Sequence, residues 1–421
     1  MGCMTVRIPK IEVGQVKEGE QLTWRYVVKQ AIEHNPDLMA ARFGIKSSAR
    51  SRDIALGGYL PSVTGNLERA RARTTSTLMK DNLSWDVSAE EPLFTGFDTT
   101  GKLLQAKKTL AASKWAYQET SASVRFQLRS VYVELLRLEK LLDVDRRIEE
   151  RRKQNAKLVR LRYDAGREHL GSAMRAEAIA SQASYEVRQT LRRTESQSIL
   201  IGREMGGEVT LLVQVEGNLE QMIPKIVDSK LDYLMLAEAT PKVHQLIKTA
   251  ESHKAAVVSA QSVVWPQATS SADYGYSGVH ASNLKDQLAL ALRVSMPFFN
   301  GGKNVAAIRK AKADYQAAVE TARSARDGAI SDLADAHAQL VDTSELVEVR
   351  KKFLDAARKR SEIVRTEYTT GLVNFQDFDI AEQDLADSEK AYVESLANVL
   401  TQEADWEFIK GSTLEDVLHE I

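Results

Sequence analysis

Side chains that commonly carry enzyme chemistry are few and scattered in this chain. Its histidines lie far apart, and none stands at a metal-ligand spacing; they are His34, His169, His244, His253, His280, His337 and His419. The glycine pairs Gly206-Gly207 and Gly301-Gly302 lack the lysine or third glycine of a nucleotide-binding loop and are typical of turns. Because no titratable residues cluster at catalytic spacing, the sequence predicts no enzyme, no metal site and no cofactor.

The single cysteine, Cys3, cannot form a disulfide within the chain. The first twenty residues lack the apolar core of a secretory leader, and residues 1–20 are expected to be a leader or extension. Two interpretations of Cys3 stay open: the relic of a lipid-modified N-terminus, or an engineered or disordered leader residue.

Charge and hydropathy exclude further classes of protein. The 57 basic and 58 acidic residues nearly cancel, which gives no electrostatic case for a nucleic-acid partner. No stretch approaches about eighteen consecutive apolar residues, so a conventional membrane-spanning helix is not expected. Strands of a membrane barrel give a much weaker hydropathy signal and are compatible with this sequence.

The chain is a tandem duplication. Six of its eight prolines fall into three pairs separated by 205 residues: Pro36 and Pro241, Pro61 and Pro266, Pro92 and Pro297. The same offset relates Phe94-Thr95-Gly96 to Phe299-Asn300-Gly301, and Tyr163-Asp164-Ala165-Gly166 to Tyr368-Thr369-Thr370-Gly371. Since prolines and glycines mark helix ends and turns, this register indicates a repeated three-dimensional unit.

Each unit opens with a short helix, followed by a second helix at the first proline. Asn35 and Thr240 are the predicted N-caps, with Pro36 and Pro241 at the first helical position. The second helix is expected to end before the next proline.

Strands are predicted next. In the second copy, one face carries Leu288, Leu290, Leu292, Val294 and Met296, and the alternating residues are smaller or polar. The first copy places Leu83, Trp85, Val87 and Ala89 in the same pattern. This length and alternation favour a lipid-facing barrel strand, and the alternative is a strand of a soluble sandwich. The preceding strands, 62–71 and 267–278, alternate poorly.

A long helical hairpin completes each unit. Apolar residues recur at spacings of three and four in the first copy, at Val124, Leu128, Val131, Leu135, Leu138 and Leu142. The second copy keeps this seam less strictly, with His337 where the first has Tyr132, and burial is the favoured interpretation of that histidine. A helix from 98 to 163 would be about 100 Å long. Gly166 and Gly371 are the predicted left-handed residues at the hairpin tips.

This architecture resembles the TolC-like outer-membrane efflux and secretion channels of Gram-negative bacteria. The resemblance rests on the proline and glycine turns and the two Tyr-x-x-Gly tips. It implies a mainly α fold with a small β part, in a homotrimer whose chains each give four strands to one 12-stranded barrel, continued by an α-helical barrel in the periplasm. The implied function is a passive exit channel docked by a periplasmic adaptor and powered by an inner-membrane pump or ABC exporter.

The resemblance also implies site residues. Tyr368 and Asp377 match the family's constriction, and Tyr163, Gly166, Tyr368 and Gly371 mark the tips where the adaptor docks. The family's arginine two residues after the second glycine is replaced by Val373, and its second inward aspartate falls on Ile380, with Asp379 beside it. N-capping of the returning helix is the alternative for Asp377, and packing at the bend is the alternative for both tyrosines.

The predicted organisation is a first repeat over 21–206, a linker over 207–225, a second repeat over 226–411 and a tail over 412–421. The expected strands lie at about 61–94 and 266–299, and the hairpins at about 98–205 and 303–410. The competing function is a soluble coiled-coil scaffold or adaptor, which would purify without detergent. Drugs, metal ions and secreted proteins all stay open as cargo, because the pump would select the substrate.

Overall fold

The computed structural model describes residues 21–74, 77–207, 213–224, 231–279 and 283–419. Cys3, His280, the predicted leader and parts of the predicted linker and tail lie outside these residues. The first copy contains β1 (Gln21–Leu22), α1 (Trp24–His34), α2 (Pro36–Gly57), β2 (Ser62–Thr74), β3 (Thr77–Phe94), α3 (Asp98–Asp164) and α4 (Leu170–Met205). The second contains β4 (Gln214–Val215), α5 (Tyr233–Ala239), α6 (Pro241–Gln261), β5 (Gln267–Gly278), β6 (Lys285–Ser295), α7 (Lys303–Thr370) and α8 (Phe375–Lys410), and α9 (Leu414–His419) follows.

The predicted unit of helices, two strands and a long hairpin therefore occurs twice. The helices α3 and α7 run without a break over 67 and 68 residues. Within the described part of the chain, no helix combines the length and the apolar character of a membrane span. The mainly α fold with a small β part is confirmed.

The prolines begin their helices as expected, but the two caps differ. The Asn35 side chain accepts hydrogen bonds from the amides of Asp37 and Leu38, at 2.9 and 3.2 Å, and so caps α2. The Thr240 hydroxyl instead donates to the carbonyl of Ala237 at 2.8 Å. The prediction that Thr240 caps α6 was wrong, because its oxygen is turned back toward the preceding helix.

Four antiparallel strands form one sheet in the order β2-β3-β5-β6. Directly paired residues lie on the same face of a sheet, and the pairing puts Leu290, Ala272, Ala89 and Val63 in one cross-strand row. The neighbouring row holds Leu288, Tyr274, Val87 and Gly65. One face is thus largely apolar across all four strands, although β2 and β5 alternate poorly when each is considered alone.

The chain folds into two compact units. Among the described residues, one unit comprises those of 41–117 and 241–326, with the sheet and its adjoining helices. The other comprises those of 21–40, 118–240 and 327–419, with the hairpin tips. The second unit also contains the parallel pair β1 and β4, which the sequence did not predict. The predicted repeats run through both units, and their bounds stay a prediction.

Candidate functional site

Both hairpin tips use the same backbone turn. Gly166 and Gly371 adopt left-handed conformations, with φ of 70° and 87°. At the first tip, the Gly166 amide donates to the Tyr163 carbonyl and the Arg167 amide to the Arg162 carbonyl, at 2.9 and 2.8 Å. At the second tip, the Gly371 amide donates to the Tyr368 carbonyl and the Leu372 amide to the Glu367 carbonyl, at 3.1 and 2.8 Å. The double bond pattern is a Schellman turn, which satisfies the last helical carbonyls and favours glycine at this position.

Tyr368 lies in the core of the tip. Its side chain is fully buried, and its ring stacks on Phe378 with centroids 4.7 Å apart and planes 1° from parallel. The Arg162 guanidinium lies 4.6 Å from the same ring centroid. The packing predicted as the alternative for Tyr368 is therefore present within one chain.

Two polar contacts fix Tyr368 to the other hairpin. Its hydroxyl donates a hydrogen bond to Oε2 of Glu168 at 2.9 Å, and Nη1 of Arg162 donates to the Tyr368 carbonyl at 2.6 Å. Burial and the bond to Glu168 raise the pKa of the Tyr368 hydroxyl. Although burial opposes it, the hydrogen bonds from Tyr368 and the His169 amide lower the pKa of Glu168. The tyrosine and the carboxylate thus hold a charge-assisted bond between α7 and the first tip.

Tyr163 is half-buried and lies beside the cluster formed by Tyr368, Phe378 and small residues of α3 and α4. The Arg160 guanidinium lies 5.3 Å from the Tyr163 ring centroid. In contrast to Tyr368, its hydroxyl makes no hydrogen bond with the residues that the structure describes. The two matched tyrosines therefore differ in their bonds, even though both pack at a bend.

Asp377 is exposed in the first turn of α8. The N-cap is Asn374, whose Oδ1 accepts from the Asp377 amide at 2.9 Å. The interpretation of Asp377 as the cap was therefore wrong, because Asn374 occupies that position. The Asp377 carboxylate makes no ion pair with any described residue, and its position still favours the positive end of the helix dipole.

Asp379 is buried and joins three helices. Its carboxylate lies 3.3 Å from Nη1 of Arg152 on α3 and 3.0 Å from Nη2 of Arg175 on α4. Ile380 next to it is 43% exposed. These pairings hold the Asp379 carboxylate inside the chain, between α3 and α4.

The remaining predicted residues lie in the sheet, except Met296, which follows the last residue of β6. Leu288, Leu290, Leu292 and Val294 are each more than 60% exposed, and Met296 and Trp85 are 45% and 38% exposed. Near the helical end of the sheet, the Phe97 ring packs edge-on against Phe94 and Trp265. In this single chain, a continuous apolar surface is left uncovered.

The family model for outer membrane efflux proteins matches residues 27–199 and 235–411. The chain belongs to that family. Membership makes it an outer-membrane protein of a channel family, as the sequence predicted. Val373, where the resemblance implies an arginine, packs with Val364 and Phe375 against the buried cluster at the tip.

One protein of known sequence and several solved structures are similar to this chain. The outer membrane efflux protein BepC of Brucella suis biovar 1 (strain 1330) is 23% identical over 170 residues, covering 40% of this chain and 37% of BepC. The chain thus matches little more than a third of this relative's length. The crystal structure of CusC superposes with a TM-score of 0.84 at 13% identity, covering 97% of this chain and 99% of CusC. The open-state structure of MtrE from Neisseria gonorrhoeae gives 0.81 at 17% identity, with 98% of each chain covered.

Sequence reasoning missed Arg162, Glu168 and the pairing of Asp379 with Arg152 and Arg175. A signal for some of them was present in the duplication. Glu168 matches Val373 and Arg175 matches Ile380 at the offset of 205 residues. Charged residues that replace apolar ones between copies mark where the hairpins differ in environment.

Proposed function

We propose that this protein is the outer-membrane exit channel of a tripartite efflux pump or a type I secretion system. Three chains would form one 12-stranded barrel, continued by the helical hairpins in the periplasm. A periplasmic adaptor and an inner-membrane pump or ABC exporter would supply the substrate, and the channel would conduct it passively.

One observation carries this proposal: the apolar face that crosses all four strands. Leu290 is 75% exposed in a single chain and Val63 is 69% exposed in the same row. Monomeric soluble proteins rarely expose contiguous apolar patches of this kind. A lipid environment would cover the face, whereas a soluble scaffold would leave it in water.

A paired substitution tests the orientation of the sheet. Leu290→Arg puts a charge on the apolar face, which costs about 2–4 kcal/mol near the middle of a bilayer. Ala291→Arg puts the same charge on the opposite face. We expect Leu290→Arg to lower the yield of folded trimer in outer membranes and Ala291→Arg to leave it nearly unchanged. Equal yields, or a monodisperse protein without detergent, would favour the scaffold.

Conduction itself is measured in planar bilayers. The purified protein should form discrete ion-conducting channels after reconstitution from detergent. Heat-denatured protein at the same detergent concentration is the control. Absence of channels from correctly folded trimers would refute the proposed function.

The proposed constriction consists of Tyr368 and Asp377. The Tyr368 bond to Glu168 and the Arg162 bond to the Tyr368 carbonyl support a role in holding α7 against the first hairpin. Three exposed Asp377 carboxylates around a threefold axis would form an acidic ring that concentrates cations.

The proposed adaptor-docking tips contain Tyr163, Gly166, Tyr368 and Gly371. A β-branched residue at a left-handed position costs about 1 kcal/mol or more and reshapes the turn. We expect Gly371→Val to abolish export while trimer yield is kept. Full export from this variant would contradict docking at the turn.

A further inference from the structure

The first hairpin carries an excess of positive charge that the whole chain does not have. Residues 146–193 contain 13 basic and 6 acidic side chains, although the complete sequence is nearly balanced. The matched segment of the second hairpin, 351–398, contains 7 basic and 10 acidic side chains. Since both segments have the same fold, hairpin formation alone does not require the positive charge.

Many of the basic residues lie on exposed faces of their helices in the single chain. On α3, Arg146, Lys153, Lys157 and Arg160 recur at spacings of seven, four and three and are all exposed. Ile148, which is buried, lies on the opposite face. On α4, one exposed face carries Met174, Tyr185, Arg188 and Arg192, at successive spacings of eleven, three and four residues. Each helix of the hairpin thus has a basic stripe that is exposed in the single chain.

Eight of the basic residues on this hairpin form no salt bridge with the residues that the structure describes. Arg162 instead donates to the Tyr368 carbonyl, and Arg167 lies in the tip turn. The other six lie on the body of the hairpin. They are Arg146, Arg147, Lys157, Arg188, Arg192 and Arg193, which together we term the basic surface. The second hairpin pairs most of its exposed cations internally, as in Arg360 with Asp384 at 2.6 Å and Lys359 with Glu362 at 2.8 Å. The difference leaves a surface on the first hairpin that is complementary to negative charge.

Apolar side chains between the cations favour a protein as the partner. Leu161 is 67% exposed, Met174 59% and Tyr185 49%. Arginine, methionine and tyrosine are enriched in protein interfaces, whereas lysine is depleted there, and five of the six residues of the basic surface are arginines. A lipid headgroup or the carboxylates of murein would need the charge but not the apolar anchors.

We infer that the basic surface docks an acidic surface of a periplasmic partner protein. The inference rests on the proposed function, which puts the hairpins in the periplasm, and it adds the chemistry of the partner. Opposite charges would steer the encounter and fix its register, while Met174 and Tyr185 would supply apolar contact. In the second hairpin, Ala397 and Asn398 stand at the positions of Arg192 and Arg193. These neutral residues offer no positive charge to an acidic partner.

Charge reversal at matched positions tests this inference. The test variants are Arg146→Glu/Arg147→Glu and Arg192→Glu/Arg193→Glu. The control is Lys351→Glu/Lys352→Glu, which makes the same change one offset later on α7. The probe is a designed antiparallel coiled-coil hairpin with Glu at its exposed positions, and a second probe has Gln there. Binding to the full chain in detergent is measured by biolayer interferometry at about 0.05 and about 0.5 M salt, between which screening shortens the range of the field severalfold.

We expect the acidic probe to bind the wild type at low salt and at least about tenfold more weakly at high salt. Each test variant should lose about tenfold or more at low salt, and the control should stay within about twofold. Equal binding of the Gln probe, or an equal loss in the control, would overturn the inference. So would tighter binding of phosphatidylglycerol vesicles or murein fragments than of the acidic probe. Conductance in planar bilayers should be the same in all variants, and channels missing from the wild type would refute the proposed function instead.

Discussion

Removing one hydroxyl at the hairpin tip should release the constriction. Tyr368→Phe keeps the ring that stacks on Phe378 and lies beside Arg162, and it deletes only the bond to Glu168. A hydrogen bond to a charged group contributes about 1.5–3 kcal/mol. Because Glu168 is half-buried and keeps the His169 amide as a donor, at 3.2 Å, the lower end applies. If the bond breaks on opening, a loss of about 1.5 kcal/mol raises the ratio of open to closed channels about tenfold.

The assay is single-channel recording, and the duplication supplies its control. Tyr163→Phe makes the same change at the matched position, where the hydroxyl bonds to no described residue, and it should leave opening unaltered. Thermal melting of the trimer checks that both variants fold. Unchanged opening of a folded Tyr368→Phe trimer would refute the reasoning, and so would an equal effect of Tyr163→Phe.

The same bond gives opening a dependence on pH. The pKa of Glu168 is lowered in the folded chain from its ordinary value of 4.5. Its stabilising contribution is therefore fully present above about pH 4.5 and is lost as the pH falls through the lower, folded-state pKa. Wild-type channels should open more often in acid below that value. Tyr368→Phe should show a smaller response, because the bond that protonation weakens is already absent.

Three further outcomes follow from the packing. Asp377→Asn should reduce cation preference and the block by multivalent cations, and unchanged selectivity would contradict an acidic ring. Gly206→Ala should lower the melting temperature more than Gly166→Ala. Both glycines have positive φ, but a Cβ at Gly206 would collide with the carbonyl group of His34, whereas one at Gly166 meets nothing within 4 Å. Equal melting temperatures would show that the chain relaxes at Gly206. Asp379→Ala should destabilise the tip by about 3 kcal/mol, because it removes the carboxylate paired with the buried Arg152. Asp384→Ala removes only the exposed pair with Arg360, worth under about 1 kcal/mol. Hydrogen exchange of the tip amides measures both effects.

The turns and long helices could be predicted because single residues dictate them. Proline and glycine restrict the backbone locally, so Pro36, Pro241, Gly166 and Gly371 marked helix boundaries that the structure confirms. The apolar face of β6 was equally visible from its strict alternation. In each case the information lies within a few neighbouring residues.

The features that the sequence did not predict depend on contacts between segments far apart in the chain. The strands β1 and β4 have two residues each, which is too short for any pattern, and they are fixed by pairing with each other and by the Tyr132 hydroxyl, which donates to the carbonyl of Leu22 at 3.0 Å. Glu168 and Tyr368 are 200 residues apart. Neither residue alone indicates that a bond joins them, because the same types occur on many exposed helix ends.

Covalent fusion of the two copies allows the two hairpins of each chain to differ in sequence, although all chains of the trimer are identical. If a single-repeat ancestor formed a ring of six hairpins, every hairpin would carry the same tip and the same surface charge. In a trimer of the duplicated chain, the six hairpins alternate between two kinds in fixed one-to-one proportion. The tip of one kind can then carry Tyr368 while the other kind carries Glu168 and the basic surface. A ligand that recognises only one kind of hairpin would bind three times around the ring rather than six.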